Sequence, residues 1–334
     1  MVEELLHSSP GWANFGIFFL LSAVLLLVVL GFVTYAILAE RKVMGYIQLR
    51  HGPNQVGGKW GLLQTVADVL KLLLKEDIIP KAADRPLFIL APMIAFAPSF
   101  MVLAAIPFTD KFQFADINIG LLYYIAISGL TVFGMLLGGW ASNNKYALLG
   151  GMRAAAQMIS YEIPLVLSVL GVILLTGSLN LNDIVEQQEN VWFIVLQPIA
   201  FVVFFIASTA ELNRTPFDLP ESENELVAGY HVEYTGFRWA FFMLAEYVYL
   251  FAMAALITVV FLGGWLPPLD ILGFIPGAVW FALKFSVVVF VYLWMRSTFP
   301  RFRVDKLMEF GWKVLLPVAL ANIFLTAIVK TIFF

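Results

Sequence analysis

The sequence contains no cysteine and only three histidines, and both shortages restrict the chemistry that this chain can perform. Without thiolates it forms no disulfide, supplies no thiolate zinc ligands and cannot ligate an iron–sulfur cluster by itself. His7, His51 and His231 all fall outside the long apolar segments, so the paired in-membrane histidines of a bis-histidine haem site are missing and a cytochrome b is excluded. We therefore expect no metal site and no covalent catalytic residue here, and any redox cofactor should belong to a partner.

Charged side chains are also scarce, at 13% of 334 residues, whereas 61% are hydrophobic and the mean hydropathy is +0.89. One soluble core could not bury so much apolar surface, which predicts an all-α polytopic membrane protein. The net charge of -3 is too near balance to suggest nucleic acid as a partner. The apolar run 13–39 is too long for a signal-peptide core and has no basic segment before it, so we interpret it as a retained span.

A helix that crosses the bilayer needs about 20 apolar residues. Eight stretches qualify within a single membrane domain (1–334): 13–39, 86–107, 119–140, 156–176, 191–210, 239–262, 276–299 and 313–333. In this arrangement 17 of the 20 Lys and Arg residues fall on the side of the odd-numbered loops and two on the other side. The positive-inside rule therefore makes the odd loops cytoplasmic and both termini outward (periplasmic).

The first inward loop, 40–85, begins with a turn-rich segment and continues as LLQTVADVLKLLLKED. Gln64, Asp68, Lys71 and Lys75 recur at helical spacing, which predicts a short amphipathic helix at the membrane interface. Two interpretations stay open: a functional polar stripe, or a helix that merely rests on the membrane with Asp68 and Lys71 as a solvated pair. Glu40 at the end of the first span is not explained by the positive-inside rule.

Two glutamates fall well inside predicted spans. Glu162 and Glu246 each lie eight residues or so from the inward end, about 12 Å deep at 1.5 Å per residue. An acid at that depth costs about 2–3 kcal/mol on insertion scales, so each should face a protein or water-filled cavity, as in proton relays. A buried carboxyl with one structural hydrogen bond remains the alternative for either residue. The role of Lys284, inside the seventh span, is left open between snorkelling and pairing with an acid.

The second inward loop, 211–238, is locally acidic. Its acids are Glu211, Asp218, Glu221, Glu223, Glu225 and Glu233, against only Arg214 and Arg238. Prolines and large apolar residues are interleaved with them, which favours a packed segment over a solvated loop. Clustered acids in a packed loop should spread their pKa values and exchange protons with Glu162 and Glu246.

Several long motifs carry a family resemblance. They are ERKVMGYIQLRHGPNQVG, ADVLKLLLKED, SNNKYALLGGMRAAAQMISYEIPL, ELNRTPFDLPESENELVAGYHVEY, MLAEY and RSTFPRFRVDKLMEFGWK. In order and spacing, from Glu40 to Trp312, they resemble the family of membrane subunits that hold the quinone site of complex I, the proton-translocating NADH:quinone oxidoreductase. The resemblance implies a multi-pass protein of the bacterial plasma (inner) membrane, in contact with the other membrane-arm subunits and with peripheral-arm subunits. One of these would carry the terminal iron–sulfur cluster, with iron–sulfur clusters and flavin confined to partners.

The resemblance also implies roles for particular residues. Glu40, Arg41 and Asp68 would line the entry of a quinone tunnel, with Arg214 and Phe217 in the bordering loop. The implied proton path comprises Glu162, Glu211, Glu221, Glu223, Glu225 and Glu246. Some relatives have a further acid in the span 119–140, which has none here, so the path would use water or tyrosine at that point.

Two other function classes remain alternatives. A secondary ion transporter would also need in-membrane acids, but not the long charged inward loops. The membrane subunit of a related energy-converting hydrogenase would share part of the carboxylate pattern without using quinone. A plain anchor for the peripheral arm would tolerate changes at Arg41 and Asp68.

Overall fold

The computed structural model describes residues 11–110, 112–269 and 272–333, and its regular structure is helical apart from one isolated bridge between Thr109 and Phe112. The α-helices are α1 (Gly11–Ile47), α2 (Gln64–Leu74), α3 (Arg85–Met101), α4 (Gly120–Ser128), α5 (Thr131–Ala141), α6 (Lys145–Thr176), α7 (Leu181–Glu186), α8 (Phe193–Leu196), α9 (Pro198–Glu211), α10 (Glu223–Leu226), α11 (Gly236–Phe261), α12 (Gly277–Thr298), α13 (Val304–Phe310) and α14 (Leu316–Phe333).

Seven helical segments of the described chain are long and apolar enough to cross a membrane. They are Asn14–Ile47, Arg85–Ala105, Gly120–Ala141, Lys145–Thr176, Gly236–Phe261, Gly277–Thr298 and Val304–Ile332. Each coincides with one predicted span, so the all-helical, multi-pass architecture is confirmed.

The predicted span 191–210 differs, because the structure divides it. The short α8 ends before Gln197, whose backbone is not helical (φ -129, ψ 52), and α9 has only 14 residues. Pro198 has no N–H to continue the ladder and disfavours helical geometry in the residue before it. The Gln197 side chain instead bonds Thr326 and Asn322 of α14, at 2.7 and 2.9 Å. An eighth crossing and the outward placement of both termini remain predictions, and residues 1–10 lie outside the described chain.

Helix ends follow local chemistry. The Asn144 side chain accepts from the Tyr146 N–H at 2.9 Å and caps the start of α6. Gly177, with φ +75, ends the same helix in the left-handed region that glycine adopts without strain. This defined 32-residue helix carries Glu162.

Helix α11 forms the centre of the core. Its residues from Tyr247 to Phe261 are all buried, and it packs against α1, α2, α3 and α12. A helix that is apolar on every side belongs in the middle of a bundle. Because α11 also carries Glu246, Tyr247 and Tyr249, it brings polar groups into the interior.

Helix α2 lies where the amphipathic segment was predicted, and its polar side faces the protein. Thr65 is buried, whereas Val66, Leu70 and Leu74 are exposed. Asp68 pairs with Arg41 of α1 rather than with Lys71. This orientation favours a functional polar stripe over a solvated pair.

Candidate functional site: a cavity next to buried carboxylates

A cavity of about 550 Å³ lies between α1, α2 and α11. Its apolar lining residues are Leu30, Val33, Ile37, Met44, Val69, Leu72, Phe237, Trp239, Ala240, Met243 and Leu244. Its polar lining residues are Thr34, Glu40, Arg41, Thr65, Asp68, Tyr247 and Arg296. This volume, with mostly apolar walls and a few polar groups, is typical of small-molecule sites.

Three of the five residues predicted to bind quinone line this cavity. Arg41 Nη1 lies 2.5 Å from Asp68 Oδ2, which joins α1 to α2 across the cavity. Gln64 donates to the other carboxylate oxygen of Asp68 at 3.2 Å. Glu40, one residue before Arg41, is buried and points into the protein.

Glu40 belongs to a buried group of charges that we call the central ion cluster: Glu40, Arg214, Glu246 and Arg296. Arg214 Nη1 lies 2.7 Å from Glu40 Oε2, and its Nε lies 2.9 Å from Glu246 Oε1. Arg296 Nη1 lies 2.8 Å from Glu40 Oε1. Two acids thus face two guanidinium groups, which offsets the cost of desolvating each charge.

Tyr247 adds a hydrogen bond to this cluster. Its hydroxyl donates to Glu40 Oε2 at 3.0 Å, and its ring lies under the Arg214 guanidinium at 4.5 Å. Burial opposes the charge of Arg214, but the carboxylates of Glu246 and Glu40 outweigh it and raise its pKa above the ordinary value. Arg214 is therefore a permanent cation in the interior.

The other two predicted quinone residues do not line the cavity. Arg214 lies behind Glu40, which separates it from the cavity lining. Phe217 is buried against the rings of Tyr161 and Phe302, at 5.6 and 5.7 Å between centroids. The Gln157 amide donates to the Phe217 carbonyl at 2.8 Å, so this part of the loop is firmly packed.

Glu221 extends the acidic group into the second inward loop. It accepts from the Tyr230 hydroxyl at 2.9 Å, and His231 Nδ1 lies 3.7 Å from the same oxygen. Burial, with repulsion from Glu246 and Asp218, raises the Glu221 pKa to about 8. Burial lowers the His231 pKa to about 4, so this imidazole is neutral at pH 7 and gives Glu221 no counter-charge.

The remaining loop acids differ in position. Glu225 is exposed and pairs with Arg153 of α6 at 2.5 Å, away from the buried acids. The side chain of Glu223 lies outside the described part of the structure. Asp218 pairs with Arg301 at 2.8 Å.

Glu211 and Glu162 form a second acidic pair. Glu211, at the end of α9, is 4% exposed and accepts from the Tyr249 hydroxyl at 2.8 Å. Glu162 is near enough to interact with it electrostatically. The Glu162 carboxylate lies beside Gly129, since a Cβ added there would be 3.1 Å from Oε1.

Sequence reasoning did not assign Arg296 and Tyr247 to the site. Arg296 was counted only as a positive-inside residue near the end of the seventh span. Its place in the last turn of a helix, facing a bundle with unpaired acids, was the available signal. No group of three or more His, Cys, Asp or Glu side chains within the described ranges could hold a metal ion.

The comparisons with known proteins agree with this architecture. The model of the NADH dehydrogenase family matches residues 20–327. Proteins from Anoxybacillus flavithermus, Geobacillus sp. and Bacillus cytotoxicus, all named as one and the same subunit of NADH-quinone oxidoreductase, are 78%, 76% and 76% identical to this chain. Each match covers 100% of both chains. The chain therefore belongs to the NADH dehydrogenase family, together with these subunits of NADH-quinone oxidoreductase.

Proposed function

We propose that this chain is the quinone-binding membrane subunit of a proton-translocating NADH:quinone oxidoreductase. Quinone is its substrate, and the iron–sulfur clusters and flavin belong to partner subunits. It sits in the bacterial plasma membrane, between the peripheral-arm subunit with the terminal iron–sulfur cluster and the other membrane-arm subunits.

One observation carries this proposal: the cavity and the buried acids share a residue. Glu40 lines the cavity and is bonded to Arg214, which is bonded in turn to Glu246. A charge that develops on a ligand in the cavity therefore acts on the central ion cluster across short distances and in a low dielectric. Apolar walls suit an isoprenoid tail, and the polar residues suit a quinone head group.

The proposed mechanism is electrostatic. Reduction of bound quinone creates a transient negative charge and a demand for protons near Glu40 and Arg296. This charge shifts the proton equilibria of Glu246 and Glu221, and then those of Glu211 and Glu162. A ligand shifts such an equilibrium only by its different interaction with the two protonation states, and the direct bonds of the cluster supply that difference.

The family match and the full-length relatives favour the quinone enzyme over a hydrogenase anchor or an ion transporter. Photoaffinity labelling of the native complex with an azido-quinone tests ligand binding. Peptides within 40–75 should be labelled, and excess quinone should compete the label away. Absence of any competed label on this chain would overturn the quinone site.

Coupling has a separate test. Glu162→Gln and Glu211→Gln, in the assembled complex, should reduce proton pumping. If both variants keep full quinone reductase activity and full pumping, the carboxylate path is wrong.

A further inference from the structure

Three buried hydroxyl groups lie around Glu211 and Glu162, on helices that the carboxylate path does not explain. Tyr249 of α11 donates to Glu211 Oε2 at 2.8 Å. Ser128, the last residue of α4, is within hydrogen-bonding range of the Tyr249 oxygen. Tyr124, one helical turn before Ser128, interacts electrostatically with Glu211 and Tyr249. Residues four apart share a helix face, so α4 presents both of its hydroxyls to the same acid.

The Tyr124 hydroxyl is unusual because it is buried and has no hydrogen-bond partner among the described residues. A buried polar group without a partner costs free energy, and such groups are few in folded proteins. The cost is explained if this hydroxyl has a role that requires it to be free to accept or donate.

Ser128 has one hydroxyl hydrogen and two acceptors within reach. It donates to the Ile125 carbonyl at 2.9 Å, and it can donate instead to the Tyr249 oxygen. Rotation about one side-chain bond exchanges these two partners. Such a hydroxyl can hand a proton on and then be reset.

Gly129, the residue after Ser128, brings the second acid close. Glu162 Oε1 would lie 3.1 Å from a Cβ at this position, which is tighter than ordinary contact. The absence of a side chain at Gly129 therefore lets the Glu162 carboxylate lie against the end of α4, next to Ser128.

We propose that Tyr249 and Ser128 carry protons between Glu211 and Glu162, with the free hydroxyl of Tyr124 beside them. In one transfer Tyr249 gives its hydroxyl proton to Glu211 and receives the proton of Ser128, which is reprotonated from Glu162. At each hydroxyl one O–H bond breaks and one forms, no electrons are exchanged, and one proton moves from Glu162 to Glu211. The opposite order moves a proton the other way. This inference rests on the proposed function and names the groups that connect its two deepest acids.

The test uses the assembled complex in inverted membrane vesicles. Tyr249→Phe and Ser128→Ala should lower the number of protons pumped per NADH oxidised by about tenfold or more, a modest share of what positioned proton-transfer groups contribute. The KM for quinone should be unchanged. Ser128→Thr keeps a hydroxyl and should restore pumping, which a role in packing alone would not require.

Tyr161→Phe is the matched control. Tyr161 is also fully buried, precedes Glu162 in α6, and donates its hydroxyl to the Leu307 carbonyl at 2.9 Å. Loss of that hydroxyl should leave the pumping ratio and the solvent deuterium isotope effect unchanged. Ser128→Ala, the smaller change, keeps the test valid if Tyr249→Phe fails to assemble.

The outcomes separate the two proposals. If Glu162→Gln and Glu211→Gln lose pumping while assembled Ser128→Ala and Tyr249→Phe keep the parental ratio and isotope effect, the hydroxyl relay is wrong and the proposed function stands. If the glutamate variants themselves pump normally, the proposed function fails and the relay fails with it.

Discussion

Glu40 and Arg214 are 174 positions apart in the chain, yet they form a buried ion pair with 2.7 Å between Oε2 and Nη1. The same guanidinium also contacts Glu246 of α11. One cation therefore joins the end of the first span, the second inward loop and the central helix. Its removal would leave two buried carboxylates with Arg296 as their remaining partner in the central ion cluster.

Arg214→Met should strongly reduce the amount of assembled complex. Removing one partner of a buried ion pair costs about 3–5 kcal/mol, because the other charge is left uncompensated. Native gel electrophoresis of solubilised membranes measures assembly. Arg153→Met is the control: its pair with the half-exposed Glu225 is worth about 1 kcal/mol or less, so assembly should be normal. Equal assembly of the two variants would contradict the structural role of Arg214.

Asp68→Asn should raise the KM for quinone about fivefold with little change in kcat, since a lost hydrogen bond costs about 1 kcal/mol. The amount of complex should be unchanged, because the Arg41–Asp68 pair is partly exposed and such pairs contribute little stability. Steady-state kinetics with a short-chain quinone provide the measurement. Lys71→Gln, on the exposed side of α2, serves as the control. If both variants have the parental KM, the cavity is not the quinone site.

Glu221 should retain its proton at neutral pH. Infrared spectra of the complex should contain a protonated-carboxyl band that disappears with a pKa of about 8 and is missing in Glu221→Gln. Glu225→Gln, which changes an exposed acid of the same loop, should keep the band. A spectrum without the band at pH 7 would mean that Glu221 is already ionised.

The raised pKa also has a consequence for stability. Between the ordinary value of 4.5 and about 8, the folded chain holds a proton at Glu221 that the unfolded chain has released. Stability therefore decreases as the pH rises through this range. Glu221→Gln lacks this loss, so its resistance to thermal inactivation should improve relative to the parent over the same range. A constant difference between the two proteins would exclude this linkage.

Lys284→Met should destabilise the outward end of α11. Lys284 Nζ donates to the carbonyls of Leu262 and Leu266 at 2.6 Å and to that of Gly264 at 3.1 Å. Hydrogen bonds to charged groups are worth about 1.5–3 kcal/mol each, so a loss of at least about 3 kcal/mol is expected. Thermal inactivation of the purified complex measures it.

Lys330→Met is the control for this prediction. Lys330 Nζ also donates to carbonyls, those of Leu174 and Leu175, but near the exposed end of α14, so its loss should matter less. Normal thermal stability of Lys284→Met together with lost pumping would show that Lys284 acts on protons instead of on the loop.

Much of the architecture was predictable because membrane spans depend on local composition. Apolar length identified seven segments that the structure contains as long helices. The break before Pro198 was missed, since hydropathy averages over a window and ignores one proline. The amphipathic segment was predicted at α2, but the direction of its polar stripe was not, because it depends on Arg41 of another helix.

The candidate site was predictable only in part. Buried acids such as Glu162 and Glu246 stood out because charge inside an apolar span is costly. Tyr249 gave no such signal, because a tyrosine in an apolar helix is unremarkable until Glu211 is found 2.8 Å away. Phe217 was expected beside the ligand and lies instead among aromatic rings, since its loop folds back onto α6 through Gln157.

The sequence by itself determined that this chain is a multi-pass membrane protein without thiolate or paired-haem ligands and with acids placed inside its spans. These properties follow from composition and from the free energy of transferring each segment into lipid, which depends on neighbouring residues alone. Only the tertiary structure decided that Glu40 bonds Arg214, that Arg296 joins them, and that Glu221 stands apart from a cationic partner in its loop. Ion pairing and burial depend on distances between side chains far apart in the chain, and folding alone sets those distances.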